Sequence, residues 1–223
     1  MSERTYIPAL RFSFLTRFYD PVVSLTTRER ETKSLLVAQL SPAPREKILD
    51  LGCGSGTLAL EINRKEPDAF VIGLDADPAI LDRARSKRGS IERISFVEGF
   101  ADQAPFEDST FDAVVSTLFF HHLSAKSRRQ TAAEIVRVLR PGGQLLIADW
   151  DRPANRLMAV LSLSIRLLDG FEPTRENFAG KLPEILEEAG LERAERTGSI
   201  QTVFGTLSTM QAFKPGSPRR TGS

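Results

Sequence analysis

Cysteine is nearly missing from this chain: Cys53 is the single one among 223 residues. One thiol excludes an internal disulfide and any zinc site built from cysteines. Histidine is almost as scarce, with only His121 and His122. Adjacent residues of an extended segment point to opposite sides, so the two do not make a shared metal site, and no metal is expected. An excess of charge of one sign is also lacking. Lysine plus arginine number 30 and the acids 29, so the broad basic surface that suits a nucleic-acid partner is absent and no such partner is expected. The longest apolar stretch, LMAVLSLSIRLL at 157–168, is interrupted by Arg166 and is too short to span a bilayer. The opening MSERTYIP lacks the charged-then-apolar order of a secretory signal. A cytoplasmic protein without a transmembrane segment is the expectation, with peripheral contact to a membrane surface left open.

What is present is an alternation. Apolar runs of strand length stand at 47–51, 69–75, 93–99, 111–119 and 143–150. Unbroken apolar runs suit strands buried on both faces of a parallel sheet. Between them lie segments of helical period. Asp77-Pro78 reads as a helix N-cap and first position, with Leu81 and Ala84 facing inward. Ser124 opens a helix whose Ala132, Ile135, Val136 and Leu139 share a face. Pro141-Gly142-Gly143 turns the chain into the fifth strand. Further helices are expected at 27–40, 154–169 and 178–190, the last ending at Gly190. Two extended stretches, 192–203 and 206–213, are hinged near Gly205. The fold class is therefore α/β: a doubly wound, Rossmann-like, seven-stranded and mostly parallel sheet, helices on both faces, closed by an antiparallel C-terminal hairpin. Residues 1–45 form an N-terminal helical and aromatic lid segment, 46–214 the main domain, and 215–223 a disordered tail.

The first strand runs into Asp50-Leu51-Gly52-Cys53-Gly54-Ser55-Gly56. In a sheet of this kind ligands sit at the carboxyl ends of the strands, which is where this loop lies. A phosphate loop would end in Gly-Lys-Ser/Thr, but no lysine follows Gly56. A dinucleotide loop would carry a third glycine where Thr57 stands. Asp50 would repel pyrophosphate and suits a cation; it could equally orient loop amides. Asp75, at the tip of the second strand, can accept both hydroxyls of a ribose. A ribose on one side and a positive charge on the other fit S-adenosylmethionine, which carries no phosphate.

These segments resemble the class I S-adenosylmethionine-dependent methyltransferases. ILDLGCGSG is similar to the family's first motif and VIGLDADPAILDRAR to its ribose-binding segment. FVEGFADQAPFEDSTFDAVVSTLFFHHL resembles the adenine loop with the fourth strand, and VLRPGGQLLIADW the fifth strand. By pattern the chain resembles the subgroup with the ubiquinone/menaquinone-biosynthesis and related small-molecule or lipid enzymes. The resemblance implies S-adenosylmethionine as cofactor and contacts to it from Asp50, Gly52, Cys53, Gly54 and Gly56. It implies further contacts from Asp75, Ala76, Phe100, Ala101, Asp102 and Ser116. Cys53 reads equally as a small packed residue. The subgroup's G-D-A-E has its acid directly after glycine, whereas this loop reads Gly99-Phe100-Ala101-Asp102. Phe100 is expected to pack against adenine, and Asp102 to supply the acceptor.

The implied reaction moves a methyl group by in-line displacement onto a small, lipophilic acceptor. Protein or RNA methylation, and a non-catalytic S-adenosylmethionine-binding regulatory module, are the alternatives. The loop after the fourth strand should lie beside the methyl group. His121 and His122 are its candidate bases, against plain readings as a helix cap and a packed ring. Phe119, Tyr6 and Tyr19 are candidate acceptor contacts, and the apolar 157–165 stretch adds to them. Ser116 stands where a magnesium-binding methyltransferase would place an acid, so no metal is expected despite Asp149 and Asp151 nearby.

Overall fold

The computed structural model describes residues 28–169 and 178–216, with side chains described to 162 and again from 178. Tyr6, Tyr19, the other aromatics before residue 28 and the end of the tail lie outside the described residues.

The chain runs α1 (Glu29–Leu40), β1 (Lys47–Leu51), α2 (Thr57–Lys65), β2 (Phe70–Asp75), α3 (Pro78–Arg88) and β3 (Ile94–Glu98). A 3₁₀ turn (Ala101–Gln103), β4 (Phe111–Thr117) and a second 3₁₀ turn (Phe120–His122) follow. Then come α4 (Ala125–Val138), β5 (Leu139–Trp150), α5 (Arg156–Asp169), α6 (Leu182–Glu188), β6 (Glu192–Thr202) and β7 (Gly205–Phe213). The seven strands make one sheet in the order β3-β2-β1-β4-β5-β7-β6. β1 to β5 pair in parallel, and β7 pairs antiparallel with both β5 and β6. The doubly wound sheet with a C-terminal hairpin is thus as expected. Strand order reverses between β1 and β4, and that opens a crevice at their carboxyl ends.

Alternation along β1 shows how the core is shared. Ile48 packs with Leu36, Leu40, Leu58, Ile62 and Leu81 on the face covered by α1, α2 and α3. Leu49 and Leu51 pack on the other face with Ile135, Val138, Leu182 and Ile185 of α4 and α6. Each such fully buried aliphatic side chain contributes about 1.5–3 kcal/mol. Leu36, Val37 and Leu40 of α1 pack in the same core cluster as Ile48.

Local signals act where the sequence put them. Asp77 accepts from the Ala79 and Ile80 amides at the start of α3 (2.9 and 3.4 Å). Ser124 accepts from Ser127 N (3.1 Å). Gly190, at φ 105°, follows α6 and donates to Glu187 O (2.9 Å). β5 differs from expectation: it begins at Leu139, which pairs with Phe111, and pairing resumes at Ala113 with Gln144. Residues 140–143 bulge out between these pairs, with Gly142 at φ 77°, so the Pro-Gly-Gly turn interrupts a strand instead of preceding it. The edge strand β6 is largely exposed and charged, with register shifts at Glu192/Glu195 and Arg196/Gly198. Charges and bulges of this kind discourage edge-to-edge pairing with other chains.

Candidate cofactor and methyl-transfer site

Three tight backbone turns build the floor. Gly52, Gly54 and Gly56 all have left-handed φ, 70°, 52° and 73°. Two of them show why glycine is needed. A Cβ on Gly56 would lie 2.6 Å from the Phe96 ring, whereas one on Gly54 would meet nothing within 4 Å. The loop is therefore packed hard against the core at Gly56 and bare at Gly54, where a ligand can approach the backbone.

Asp75 fixes this loop from the neighbouring strand. Its Oδ2 accepts from Gly54 N (2.9 Å) and its Oδ1 from Asp77 N (3.0 Å). Burial raises its pKa, opposed by those amides. Each carboxylate oxygen offers two acceptor positions, so capacity remains for two ribose hydroxyls. Ala76 lies between Asp75 and Asp77 in the chain and is partly exposed.

Asp50 is the anomaly. It is fully buried, and neither carboxylate oxygen has a hydrogen-bond partner among the described residues. Burial pushes its pKa up to about 7; the Lys33 charge opposes the rise, Asp75 adds to it, and the Ala59 amide faces the group without completing a hydrogen bond. A buried acid with both oxygens orphaned calls for a missing partner. Of the two roles expected for Asp50, orienting loop amides finds no bond in the structure. Cys53 is buried, its thiol 3.7 Å from the Gly54 carbonyl. Burial, then Asp50 and Asp75, push its pKa upward, as in a packed and unreactive thiol.

On the adenine side, Phe100 is 41% exposed at the head of the 3₁₀ turn that carries Ala101 and Asp102. An exposed ring just past the carboxyl end of β3 is a surface on which a planar base can stack. The segment after it is tied to α4: Ala104 N donates to Glu134 (3.0 Å), and Arg137 donates to the Ala104 and Phe106 carbonyls (2.9 and 2.7 Å) and to Asp108.

The loop after β4 is held from β5. Ser116 is fully buried and donates to Leu51 O (2.8 Å), which braces β4 against β1. Leu118 takes a left-handed φ of 52° and donates to Ala148 O (2.8 Å). That conformation costs a bulky residue about 1–2 kcal/mol. Phe119 then lies over the glycine loop, where a Cβ on Gly52 would meet its ring at 2.4 Å. Asp149 organises the turn: Oδ2 accepts from the amides of Phe119, Phe120 and His121 (3.1, 2.6 and 3.3 Å). Its Oδ1 accepts from His121 Nδ1 (2.6 Å) and Trp150 N (2.7 Å). Burial alone would raise the Asp149 pKa, but the charge and hydrogen bond of His121 and the Trp150 amide bring it below the usual value. His122 stacks against His121, ring centroids 3.9 Å apart. Burial and the His121 charge push its pKa down to about 3. Arg128, buried on α4, closes the turn by donating to the carbonyls of Phe120 and Leu123 (3.2 and 2.9 Å).

The structure thus gathers the glycine loop, Asp50, Asp75, Phe100, Phe119 and the histidine turn at one end of the sheet. Sequence reasoning missed the positions of Asp149 as organiser, Arg128 as clamp and Glu134–Arg137 as brace. For Asp149 the signal was present, an acid ending a strand opposite a histidine; the two arginines sit in ordinary polar helical stretches. Among the described residues no cluster of His, Cys, Asp and Glu has the makings of a metal site. S-adenosylmethionine fits what is here. Asp75 has acceptors that suit its ribose, Phe100 an exposed face that suits its adenine, Gly54 bare backbone, and Asp50 a carboxyl without a hydrogen-bond partner among the described residues.

A family model described as "Methyltransferase domain" matches residues 48–143. Among curated relatives, a demethylmenaquinone methyltransferase of Deinococcus radiodurans is 33% identical over 154 residues, 69% of this chain and 61% of that protein. One from Thermus thermophilus is 35% identical over 148 residues, 65% and 63% respectively. The chain therefore spans about three fifths of the length of these two relatives. Among solved structures, the YcgJ protein of Bacillus subtilis superposes with a TM-score of 0.68 at 19% identity, covering 84% of this chain and 100% of that one. Phosphoethanolamine N-methyltransferase 2 of Haemonchus contortus, in complex with S-adenosyl-L-methionine, superposes at 0.66 with 17% identity, covering 83% and 52%. Sheet order, glycine loop and sequence relatives point the same way: residues 48–143 match a methyltransferase domain, set in a sheet shared with solved methyltransferase structures.

Proposed function

We propose that this protein transfers a methyl group from S-adenosylmethionine to a small, lipophilic acceptor in the cytoplasm. The observation that carries the cofactor half is Asp50, a buried acid without a hydrogen-bond partner among the described residues, two positions before a bare glycine loop. The acceptor half is supported by the names of relatives, two demethylmenaquinone methyltransferases and a ubiquinone/menaquinone biosynthesis C-methyltransferase, and by apolar surface. Leu157 and Val160 of α5 are exposed, as is Val203, while no helix among the described residues is long and apolar enough to cross a membrane.

When bound, S-adenosylmethionine supplies a methyl group already activated on sulfur. The chain's own part is orientation and exclusion of water, which can lower such a barrier by about 7–11 kcal/mol. Asp75 and Phe100 hold the adenosine end, with Ala76, Ala101 and Asp102 around it. The glycine loop carries the amino-acid end. Phe119 walls the loop on the acceptor side, held there by Asp149 and the strained Leu118. If the acceptor loses a proton, His121 is the residue oriented for it. Asp149 holds its Nδ1 at 2.6 Å, which fixes the ring as in other carboxylate–histidine pairs. His122, pushed to about 3, stays neutral and is a weak base.

Incubating the protein with methyl-labelled cofactor and cell extract, then separating lipid, small-molecule, protein and RNA fractions, tests the reading. Label in the lipid or small-molecule fraction is expected. Label confined to protein or RNA would replace the acceptor class, and no transferred label would remove the enzymatic reading.

A further inference from the structure

Residues 99–110 leave the sheet between β3 and β4, so their backbone groups must find partners outside a strand ladder. At the near end Gly99 N donates to Asp75 O (3.0 Å), which ties the segment to the tip of β2. At the far end two side chains of α4 take over. Glu134 Oε2 accepts from Ala104 N (3.0 Å). Arg137 Nη2 donates to Ala104 O (2.9 Å), and its Nη1 to Phe106 O (2.7 Å) and Asp108 Oδ1 (2.8 Å). Its Nε and Nη2 also donate to Glu134 (3.0 and 2.8 Å). All the guanidinium donors are thereby engaged, and both backbone polar groups of Ala104 are held by one ion pair. The helix end itself grips the chain next, with Ser109 N and Thr110 N donating to the carbonyls of Arg137 and Val138 (2.9 and 2.8 Å). The turn Ala101–Gln103 is hung between these two anchors. A stacked Phe100 gives affinity for any planar base and cannot tell one from another, because every base has a π-face. Telling adenine from hypoxanthine needs polar groups in the plane of the ring. Adenine has a donor at C6 and an acceptor at N1; hypoxanthine has the reverse. Such groups discriminate only when the residues behind them hold them in place.

We propose that Glu134 and Arg137 are positioning residues that set which base the cofactor site accepts, by fixing the 101–104 backbone at the edge of the ring that stacks on Phe100. The proposal rests on the placement of adenosine given above and assigns the two residues no contact with the cofactor. It makes the C-terminal half of α4 the element that turns a base-blind stacking surface into an adenine-selective one.

Calorimetry with S-adenosylhomocysteine and S-inosylhomocysteine, which differ only at the base, tests it. The wild type should prefer the first by about tenfold or more, the scale of one mispaired hydrogen bond. E134Q keeps the size of the side chain and removes its charge; R137K keeps the charge and removes the planar fork. In both variants the preference should fall about threefold or more, through weaker S-adenosylhomocysteine. S-inosylhomocysteine should stay within about twofold, which also shows that the variants are folded. A lowered Tm with the preference intact would make the pair a structural brace only and overturn the proposal. Equal weakening or loss of both ligands in both variants, or no change in either, overturns it as well. A wild type that binds the two ligands alike overturns it and leaves the cofactor reading standing; a wild type that binds neither removes that reading.

Discussion

Replacing Asp50 by asparagine should make the empty protein more stable while weakening its hold on cofactor. The fully buried carboxyl has its pKa raised from 3.8 to about 7. A shift of about three units corresponds to roughly 4 kcal/mol as an upper bound on the strain of holding the charge. Asparagine removes the charge but still buries an amide, at about 1–3 kcal/mol. The expected net gain is about 1–3 kcal/mol, a sizeable part of a total of about 5–15. For a chain of this size that is a rise in Tm of about 2–10 °C. The sign of the pH dependence follows from the direction of the shift. An acid whose pKa is raised on folding favours the folded state below its unfolded value and loses that contribution as pH rises through the folded value. The difference between D50N and wild type should therefore be small near pH 4, grow to about pH 7 and stay level above. Urea denaturation without ligand at pH 4.5, 6, 7 and 8 measures it, and calorimetry with S-adenosylhomocysteine measures the binding loss. A D50N protein less stable than wild type at pH 8 would refute the reasoning. It would mean that attraction to Lys33 outweighs burial and that Asp50 is a structural ion.

Asp149→Ala removes the acceptor of four amides and a ring N–H in a buried place; breaking such a buried pair costs about 3–5 kcal/mol, read as a lowered urea midpoint with unchanged slope. In the wild type that contribution is present above the unfolded pKa of Asp149 and is lost as pH falls through its depressed folded value; the alanine variant should show a flatter acid limb. Gly54→Ala, with open space around it, should cost about 1–2 kcal/mol from its left-handed φ and at least tenfold in cofactor affinity. Gly56→Ala should cost visibly more in thermal unfolding, because the added methyl also strikes Phe96. Phe100→Ala should lower Tm only by a few degrees, about 2–4 °C, since that ring is 41% exposed, and should weaken adenosine-containing ligands severalfold by calorimetry.

The parts of the fold legible in the sequence are those fixed by neighbours in the chain. Asp77, Ser124 and Gly190 act on groups within a few residues of themselves, so capping chemistry located them. The apolar runs located the parallel strands because both faces of this sheet are covered. The start of β5 was not legible. Leu139 joins the sheet because Phe111, 28 residues earlier, pairs with it, and a Pro-Gly-Gly bulge looks locally like any turn. The glycine loop and Asp75 were readable from order and spacing. The Asp149–His121 contact spans 28 residues, so only the folded chain shows it. Ser116 read as a residue at the ligand from its place on β4. Its burial and its bond to Leu51 O, 65 residues away in the chain, show only in the folded protein.

The central claim is a phosphate-free niche that grips adenosine with Asp75 and a positive charge with Asp50. Titrating the purified protein by calorimetry with S-adenosylhomocysteine and, separately, with NAD tests it most directly. Saturable binding of the first alone, lost in Asp75→Ala, is the predicted result; uptake of NAD with indifference to S-adenosylhomocysteine would contradict it.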